Sequence, residues 1–575
     1  MIGLEIKVMD KSSKNVFHVS GENFKKIPGS PIAYWVGEKI VNLLEGKTLD
    51  GIIEGRIGLA TGNNAAHLRL WFELSYSGIG FGYDRSSAKK SMLKWFPYNK
   101  AGDFRRWYGN IEYVVNWFND GLELQTTLHP DGHRIWAHNF NLDYIFKEHI
   151  GWSNITSGQV AFRKYDKGFL FDASANAAFT THSYNYLLGL SNTNFVLEIS
   201  PLLNPTIHFN PGDFHRIPYV EVLNKSQIES NVVELITFSR SDWDEYETSW
   251  GFKVNPLVRE GWQRSGAAMK LEAAWAAVFA RRMEWAERMK ALEEENNRLF
   301  IEAYGLQDEL KPDVAWKDVS ITGNPAYRYK LDGDPQSGEE RARADAMREL
   351  ISYGMGVLMG RYSLEQEGLI LASQGELYKD YIARVHGAGK ILPDEDGVIP
   401  AIALEGGFFK DNLLHRMREF LSAAFGNDAL PQNLNFIEAA LGCGFDKYLT
   451  DKFFDDHVKT YKKRPIYWLF ESPKGYFRAF AYMHRMTGAT AGHIRNNYLL
   501  PYIGHLEKCF AAESAKGSSM TSAERKRVKA MEAAIKDCKA YDLVLHDFAD
   551  RAVAIDLDDG VVVNWAKYKE VLASL

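Results

Sequence analysis

Between Trp262 and Tyr304 the chain contains no proline, and Leu271, Trp275, Val278, Arg282, Trp285, Met289, Leu292, Asn296 and Leu299 recur at alternating steps of four and three. Only a helix places such a series along one side. The run therefore predicts a single long helix over 262–304, about 60 Å at 1.5 Å per residue. Two positions of the seam, Arg282 and Asn296, are polar, and about four heptads make a short free coiled coil. The helix is expected to pack on its own molecule, as a spine between two halves.

The texture differs on either side of that helix. Residues 1–50 mix strand-like and helix-like signals and read as a connecting segment. From 51 to 261, short apolar runs such as "EYVVNWF", "GFLFDAS" and "FVLEIS" alternate with Gly, Asn, Asp and Pro, the pattern of a mixed α/β domain. Residues 305–575 are mainly helical by pattern, as in "ADAMRELISYGMGVLMGRYSL", after a polar connection over 333–345. The fold class expected is α+β. A chain of 575 residues is too long for one core and should form two to four domains.

Composition narrows the function classes. Hydrophobic residues make up 46% and charged residues 25%, as in ordinary soluble globular proteins. The net charge of −6 excludes a uniformly basic nucleic-acid binder but allows a local basic groove. Cys443, Cys509 and Cys538 are far apart and form no CxxC pair, so neither a disulfide framework nor a cysteine-rich zinc site is expected. The opening "MIGLEIKVMDKSSKN" lacks the layout of a signal peptide. No stretch approaches 18 apolar residues, and the expected location is the cytoplasm, away from membranes.

Several segments carry candidate chemistry. "GLATGNN", residues 58–64, lacks the GK[ST] ending of a phosphate loop and the G-x-G-x-x-G of a dinucleotide loop. It remains either a plain turn or a turn presenting amides to a ligand. Residues 85–106 hold seven Lys or Arg against one acid, Asp103, with Trp95, Phe96, Tyr98 and Phe104 interleaved and Trp107 just beyond. Phosphates call for cations and unstacked bases for aromatic faces, so this mixture suits a nucleic-acid surface. The alternative is a solvated basic loop with a packed underside. Residues 458–485 repeat the mixture, with seven Lys or Arg, Glu471 and eight aromatics.

Asn324-Pro325-Ala326-Tyr327 is one residue away from the N-P-P-Y motif of amino-methylating enzymes, whose Asn and Pro carbonyl hold the target amine while the aromatic stacks on the flipped base. No Gly-rich, acidic cofactor strand–loop–helix accompanies it, and "FNPGDF" (209–214) fails in the same way. No HExxH or GxSxG occurs. No catalytic, cofactor-binding or metal-binding residue is therefore assigned.

Six segments in order, "GLATGNNAAHLRLWFE", "KWFPYNKAGDFRRWYGNIEYVVNW", "TSGQVAFRKYDKGFLFDAS", "NPTIHFNPGDFHRIP", "YGLQDEL" and "KKRPIYWLFESPKGYFRAFAYMHR", carry a resemblance. They resemble the C-terminal half of the PglX family, the adenine-specific DNA methyltransferases of BREX phage-defence systems. More loosely, the earlier ones resemble target-recognition regions of type I and type IIG restriction–modification enzymes. The resemblance implies a DNA target-recognition domain, a spine helix and a helical C-terminal domain. In that family the catalytic domain and its S-adenosylmethionine site precede these segments.

On this reading no cofactor belongs to this chain, and S-adenosylmethionine belongs to the full-length family enzyme. The implied partners are double-stranded DNA, the N-terminal methyltransferase domain and other BREX proteins. The expected DNA-contacting residues are Thr61, Gly62, Asn63, Asn64, Lys89, Lys90, Lys94, Arg105, Arg106, Lys462, Lys463 and Arg464. GLATGNN would be the turn that opens the recognition region. Two alternatives stand beside this reading: a scaffold that docks other defence proteins, and a self-contained enzyme built on Asn324–Tyr327.

Overall fold

Leu271–Tyr304 forms one continuous helix of 34 residues, about 50 Å long. It is shorter than the expected span, of which residues 264–269 lie outside the described residues. The computed structural model describes residues 5–9, 16–20, 36–156, 158–263, 270–385 and 389–575. The seam is buried except at Trp285 and Leu299, which are half-buried, and its polar members Arg282 and Asn296 are buried with it. Asn296 Oδ1 accepts from Asn231 Nδ2 at 3.0 Å, so the carbonyl is not orphaned, whereas its Nδ2 is buried without a hydrogen-bond partner. At the start of the helix the Leu271 amide donates to Asn433 Oδ1 at 2.8 Å.

The chain divides into two compact units. The first comprises residues 1–68, 79–243 and 281–338, and the second residues 69–78, 244–280 and 339–575. In the first, the strands Glu54–Arg56, Ala175–Phe179, His149–Ser153 and Phe162–Tyr165 pair antiparallel in that spatial order. Trp95–Asn99 pairs antiparallel with Tyr113–Asn116 and parallel with Leu170–Phe171. Glu5–Met9 and Val16–Ser20 form a separate antiparallel pair. The helix Lys225–Trp243 and residues from Ala286 to Tyr304 of the long helix cover one core. A second core holds Leu59, Phe96, Tyr98, Trp117 and Phe171.

The second unit holds the antiparallel strands Val398–Pro400, Arg478–Tyr482 and Tyr467–Glu471 among helices. Among those helices are Glu339–Leu358, Leu500–Ser514 and Ser522–Asp550. The polar run 333–345, expected as a connection, is helical from Glu339 onward. Its apolar side, with Ala342, Ala346, Met347 and Leu350, is buried, a period that the charged residues between conceal. Ser522–Asp550 begins at a capping box, in which Thr521 and Glu524 satisfy each other's amides. The molecule is thus mixed α+β. Among the described residues no helix is long and apolar enough to cross a membrane.

Candidate nucleic-acid interface

The GLATGNN turn is held from both sides. The Leu59 amide donates to Phe171 O at 2.9 Å, the Ala173 amide donates to Leu59 O at 3.0 Å, and Ala60 exchanges two hydrogen bonds with His138. A Cβ on Gly58 would fall 1.9 Å from Phe171 O, so only glycine permits this approach. Gly62 holds φ +71, and a Cβ there would sit 2.4 Å from Trp136 Cδ1. Two independent constraints require glycine at 62.

The polar side chains of the turn divide their work. Thr61 is buried, and its hydroxyl donates to Asn64 Oδ1 at 2.6 Å. It therefore positions Asn64, and its expected place among the direct contacts is corrected. Asn63 is the N-cap of the short helix Asn64–His67, with Oδ1 accepting from the Ala66 amide at 3.3 Å. Both carboxamide oxygens are engaged inside the turn, so each NH2 group is the part these bonds leave uncommitted. Gly62 and Asn64 are exposed and Asn63 is half-buried.

The basic segment separates into surface and interior. Asp84 caps the helix Arg85–Lys90 through the Ser87 amide at 2.8 Å. Arg85 is committed to Asp120, at 2.8 Å, and to Leu142 O. Lys89 and Lys90, at the end of the helix, are exposed, Lys89 standing 4.0 Å from Asp120. Lys94 lies half-buried over the Trp95 ring at 5.2 Å. Ala88 of this helix, Leu59 of the GLATGNN turn and Leu68 just after it belong to one core.

Arg105 and Arg106, expected at phosphates, are instead interior residues, each 2% exposed. Arg105 Nη2 donates to Asp242 Oδ2 at 2.8 Å and to Ser239 O. Arg106 Nη1 donates to Glu293 Oε2 at 2.8 Å, and Trp107 Nε1 to Glu293 Oε1 at 2.6 Å. A buried guanidinium with a carboxylate partner cannot also reach a solvent-side phosphate, so both leave the candidate set. Four of the five stacking faces fail as well: Trp95, Phe96, Tyr98 and Trp107 are at most 1% exposed, while Phe104 is half-buried. Partners 137 and 187 residues away could not be seen from the local spacing.

In the second unit, the aromatics of 458–485 likewise form core, with Tyr461, Tyr467, Trp468, Phe477 and Tyr482 fully buried. Lys462 and Lys463 are exposed in a turn where both hold positive φ, 53 and 59. Consecutive left-handed lysines are uncommon, since glycine or asparagine adopts that conformation more cheaply. Arg464 is half-buried, with Nε 3.8 Å from Glu73 Oε2.

Asn324 is the N-cap of the helix Pro325–Tyr329. It is fully buried, its Nδ2 donating to Trp316 O at 2.8 Å and Val319 O at 2.9 Å. The Tyr327 hydroxyl donates to Phe104 O. These residues hold backbone in place and do not fit a target base or the methyl-donor chemistry. Sequence reasoning missed a pocket of about 420 Å³ beside the GLATGNN turn, whose lining includes Arg56, Ile57, Phe140, Asn141 and Asn210. Its signal was the "FNPGDF" stretch, which supplies Asn210, Pro211 and Gly212 to the wall.

No protein-family model matches the chain. Two curated proteins are similar to it over nearly its whole length, and the chain is homologous to both. One is the adenine-specific methyltransferase PglX of Lacticaseibacillus casei (strain Zhang), 35% identical over 97% of this chain and 46% of the relative. The other is the adenine-specific methyltransferase BrxX of Escherichia coli O9:H4 (strain HS), 32% identical over 96% of this chain and 45% of the relative. The chain spans slightly less than half the length of each.

Proposed function

We propose that this chain is the DNA-recognition part of a BREX-type adenine-specific DNA methyltransferase, supplying duplex binding and site choice for phage defence. Transfer of a methyl group from S-adenosylmethionine to adenine N6 is assigned to the part of the relatives that this chain does not span. The observation that carries the reading is the coverage: 96–97% of this chain aligns with 45–46% of two adenine-specific methyltransferases. The internal commitment of Asn324 and Tyr327 supports it, because the one motif close to an amino-methylating site is used as structure.

An enzyme that methylates an adenine amine must flip the base out of the stack while gripping the flanking duplex. The grip is assigned to Lys89, Lys90, Lys94, Lys462 and Lys463, and the amide donors near the DNA to Asn63 and Asn64. Phosphate contacts fix position and carry no sequence information, whereas amide donors can read base acceptors.

Fluorescence anisotropy of the whole chain on duplex DNA, from low to high salt, tests the reading. Binding should weaken linearly in log K against log salt, and Lys89→Glu with Lys90→Glu should lower the slope by about 1.8, since each phosphate contact contributes about 0.9. Absence of salt-dependent duplex binding would overturn the proposal and leave a scaffold for other defence proteins as the better account.

A further inference from the structure

In the second unit, Glu405, His505 and Cys509 are half-buried and each offers one ligand atom, the three atoms lying within 4.8 Å of one another. We propose that they form a divalent-metal site for a borderline-soft ion of the zinc class, with three protein ligands and one open position. The helix Leu500–Ser514 carries His505 and Cys509 four residues apart, so they project from one face a turn apart. Cys509 Sγ lies 3.5 Å from His505 Nε2. Tetrahedral zinc, with bonds of about 2.3 Å to sulfur and about 2.0 Å to nitrogen, sets those two atoms about 3.5 Å apart.

His505 Nε2 lies 4.0 Å from Glu405 Oε2. A bound ion would draw the carboxylate in by about 0.6 Å, within the reach of a glutamate side-chain rotation. The surroundings hold Glu405 and the His505 ring in place. Arg527 Nε donates to Glu405 Oε1 at 2.7 Å, which occupies one carboxylate oxygen and leaves the other toward His505. Arg527 is itself fixed by Glu513 at 2.8 Å. The His505 ring stacks on Phe408 with centroids 4.4 Å apart and planes 16° apart, which fixes the ring plane.

A thiolate, a neutral imidazole and a carboxylate form a donor set that suits zinc and disfavours magnesium or calcium, which prefer oxygen alone. Binding would release the thiol proton of Cys509 to solvent. Three protein ligands leave the fourth position of a tetrahedral ion to water. The site ties the 405 loop to the helix 500–514, which is paired through Arg527 with the helix 522–550, and it does not depend on the DNA-binding reading.

The test titrates Co²⁺ into the whole chain after dialysis against a chelator. Uptake of one Co²⁺ per chain is expected, with a thiolate-to-cobalt charge-transfer band and visible bands of tetrahedral intensity, all displaced by Zn²⁺. Cys509→Ser should remove the charge-transfer band, and Glu405→Gln and His505→Gln should each weaken binding at least about tenfold. Cys443→Ser should change nothing. Far-UV circular dichroism checks that each variant is folded, and Glu405→Gln reads the site even where Cys509→Ser does not fold. Lack of stoichiometric uptake, or a charge-transfer band that survives Cys509→Ser or is lost in Cys443→Ser, would overturn the proposal.

Discussion

Arg106 Nη1 and Glu293 Oε2 stand 2.8 Å apart with both side chains 2% exposed, and the second oxygen of Glu293 takes the Trp107 indole N–H. The carboxylate is thus satisfied on both sides inside the first unit, and Arg106 serves the fold. Arg106→Ala would strand a buried negative charge, whose cost is typically about 3–5 kcal/mol. A large fall in the urea midpoint is expected, against no change for Lys89→Ala, which removes an exposed lysine. An Arg106→Ala protein with the wild-type midpoint would show that the pair contributes nothing to stability.

His457 makes the acid sensitivity of the second unit predictable. Its Nε2 accepts from the Ile466 and Tyr467 amides at 3.1 Å each, so the neutral ring is required. Burial, reinforced by the Arg361 charge, pushes its pKa from 6.5 down to about 3. His484, whose Nε2 faces Leu74 O at 3.0 Å, is lowered to about 3 by the same two causes. A depressed histidine contributes stability that is fully present above pH 6.5 and is lost as pH falls toward 3, because only the unfolded chain takes up the proton. Melting temperature should therefore drop steadily below pH 6.5, and His457→Gln should flatten that drop while lowering the plateau. A melting temperature independent of pH between 6.5 and 4 would contradict this.

Glu247 works in the opposite sense. Burial raises its carboxyl from 4.5 to about 7, although the Ser352 hydroxyl and Arg361 pull it back. A raised carboxyl binds its proton more tightly in the folded state, so stability is lost as pH rises from 4.5 through 7. Glu247→Gln keeps the shape and removes the ionisation. It should raise the melting temperature at pH 8 and leave it nearly unchanged at pH 4. An equal shift at both values would mean that the charge is not the cause.

The sequence exposed periodic features and concealed distant ones. The four-and-three seam of Leu271–Leu299 depends only on local spacing, so the helix was legible, polar positions included. The mixed α+β class was legible as texture, but not the way 69–78, 244–280 and 281–338 are shared between the two units. The boundary of the long helix before Leu271, the helical start at Glu339, and the fate of Arg105 and Arg106 were not. Basic residues among aromatics look alike whether the aromatics stack bases or fill a core. What distinguishes them is the carboxylates Asp242 and Glu293, which meet these arginines only in the folded chain. The same distance in sequence hides Glu405 from His505 and Cys509.

The GLATGNN turn carries the sharpest test of the interface. Asn63 Oδ1 and Asn64 Oδ1 accept hydrogen bonds from the Ala66 amide and the Thr61 hydroxyl, so an aspartate at either position keeps those acceptors. It also deletes the NH2 donors and adds negative charge that a phosphate backbone repels. Asn63→Asp with Asn64→Asp should therefore leave the melting temperature unchanged, because aspartate caps a helix as well as asparagine does. If the turn meets DNA, the double variant should bind duplex at least about tenfold more weakly, roughly 1.4 kcal/mol. Gly62→Ala is the complementary probe, because it forces a Cβ against Trp136 and a left-handed alanine. It should lower the melting temperature whether or not DNA binds there. Wild-type affinity in the double aspartate variant, at wild-type melting temperature, would reduce the turn to a structural one and remove Asn63 and Asn64 from the interface.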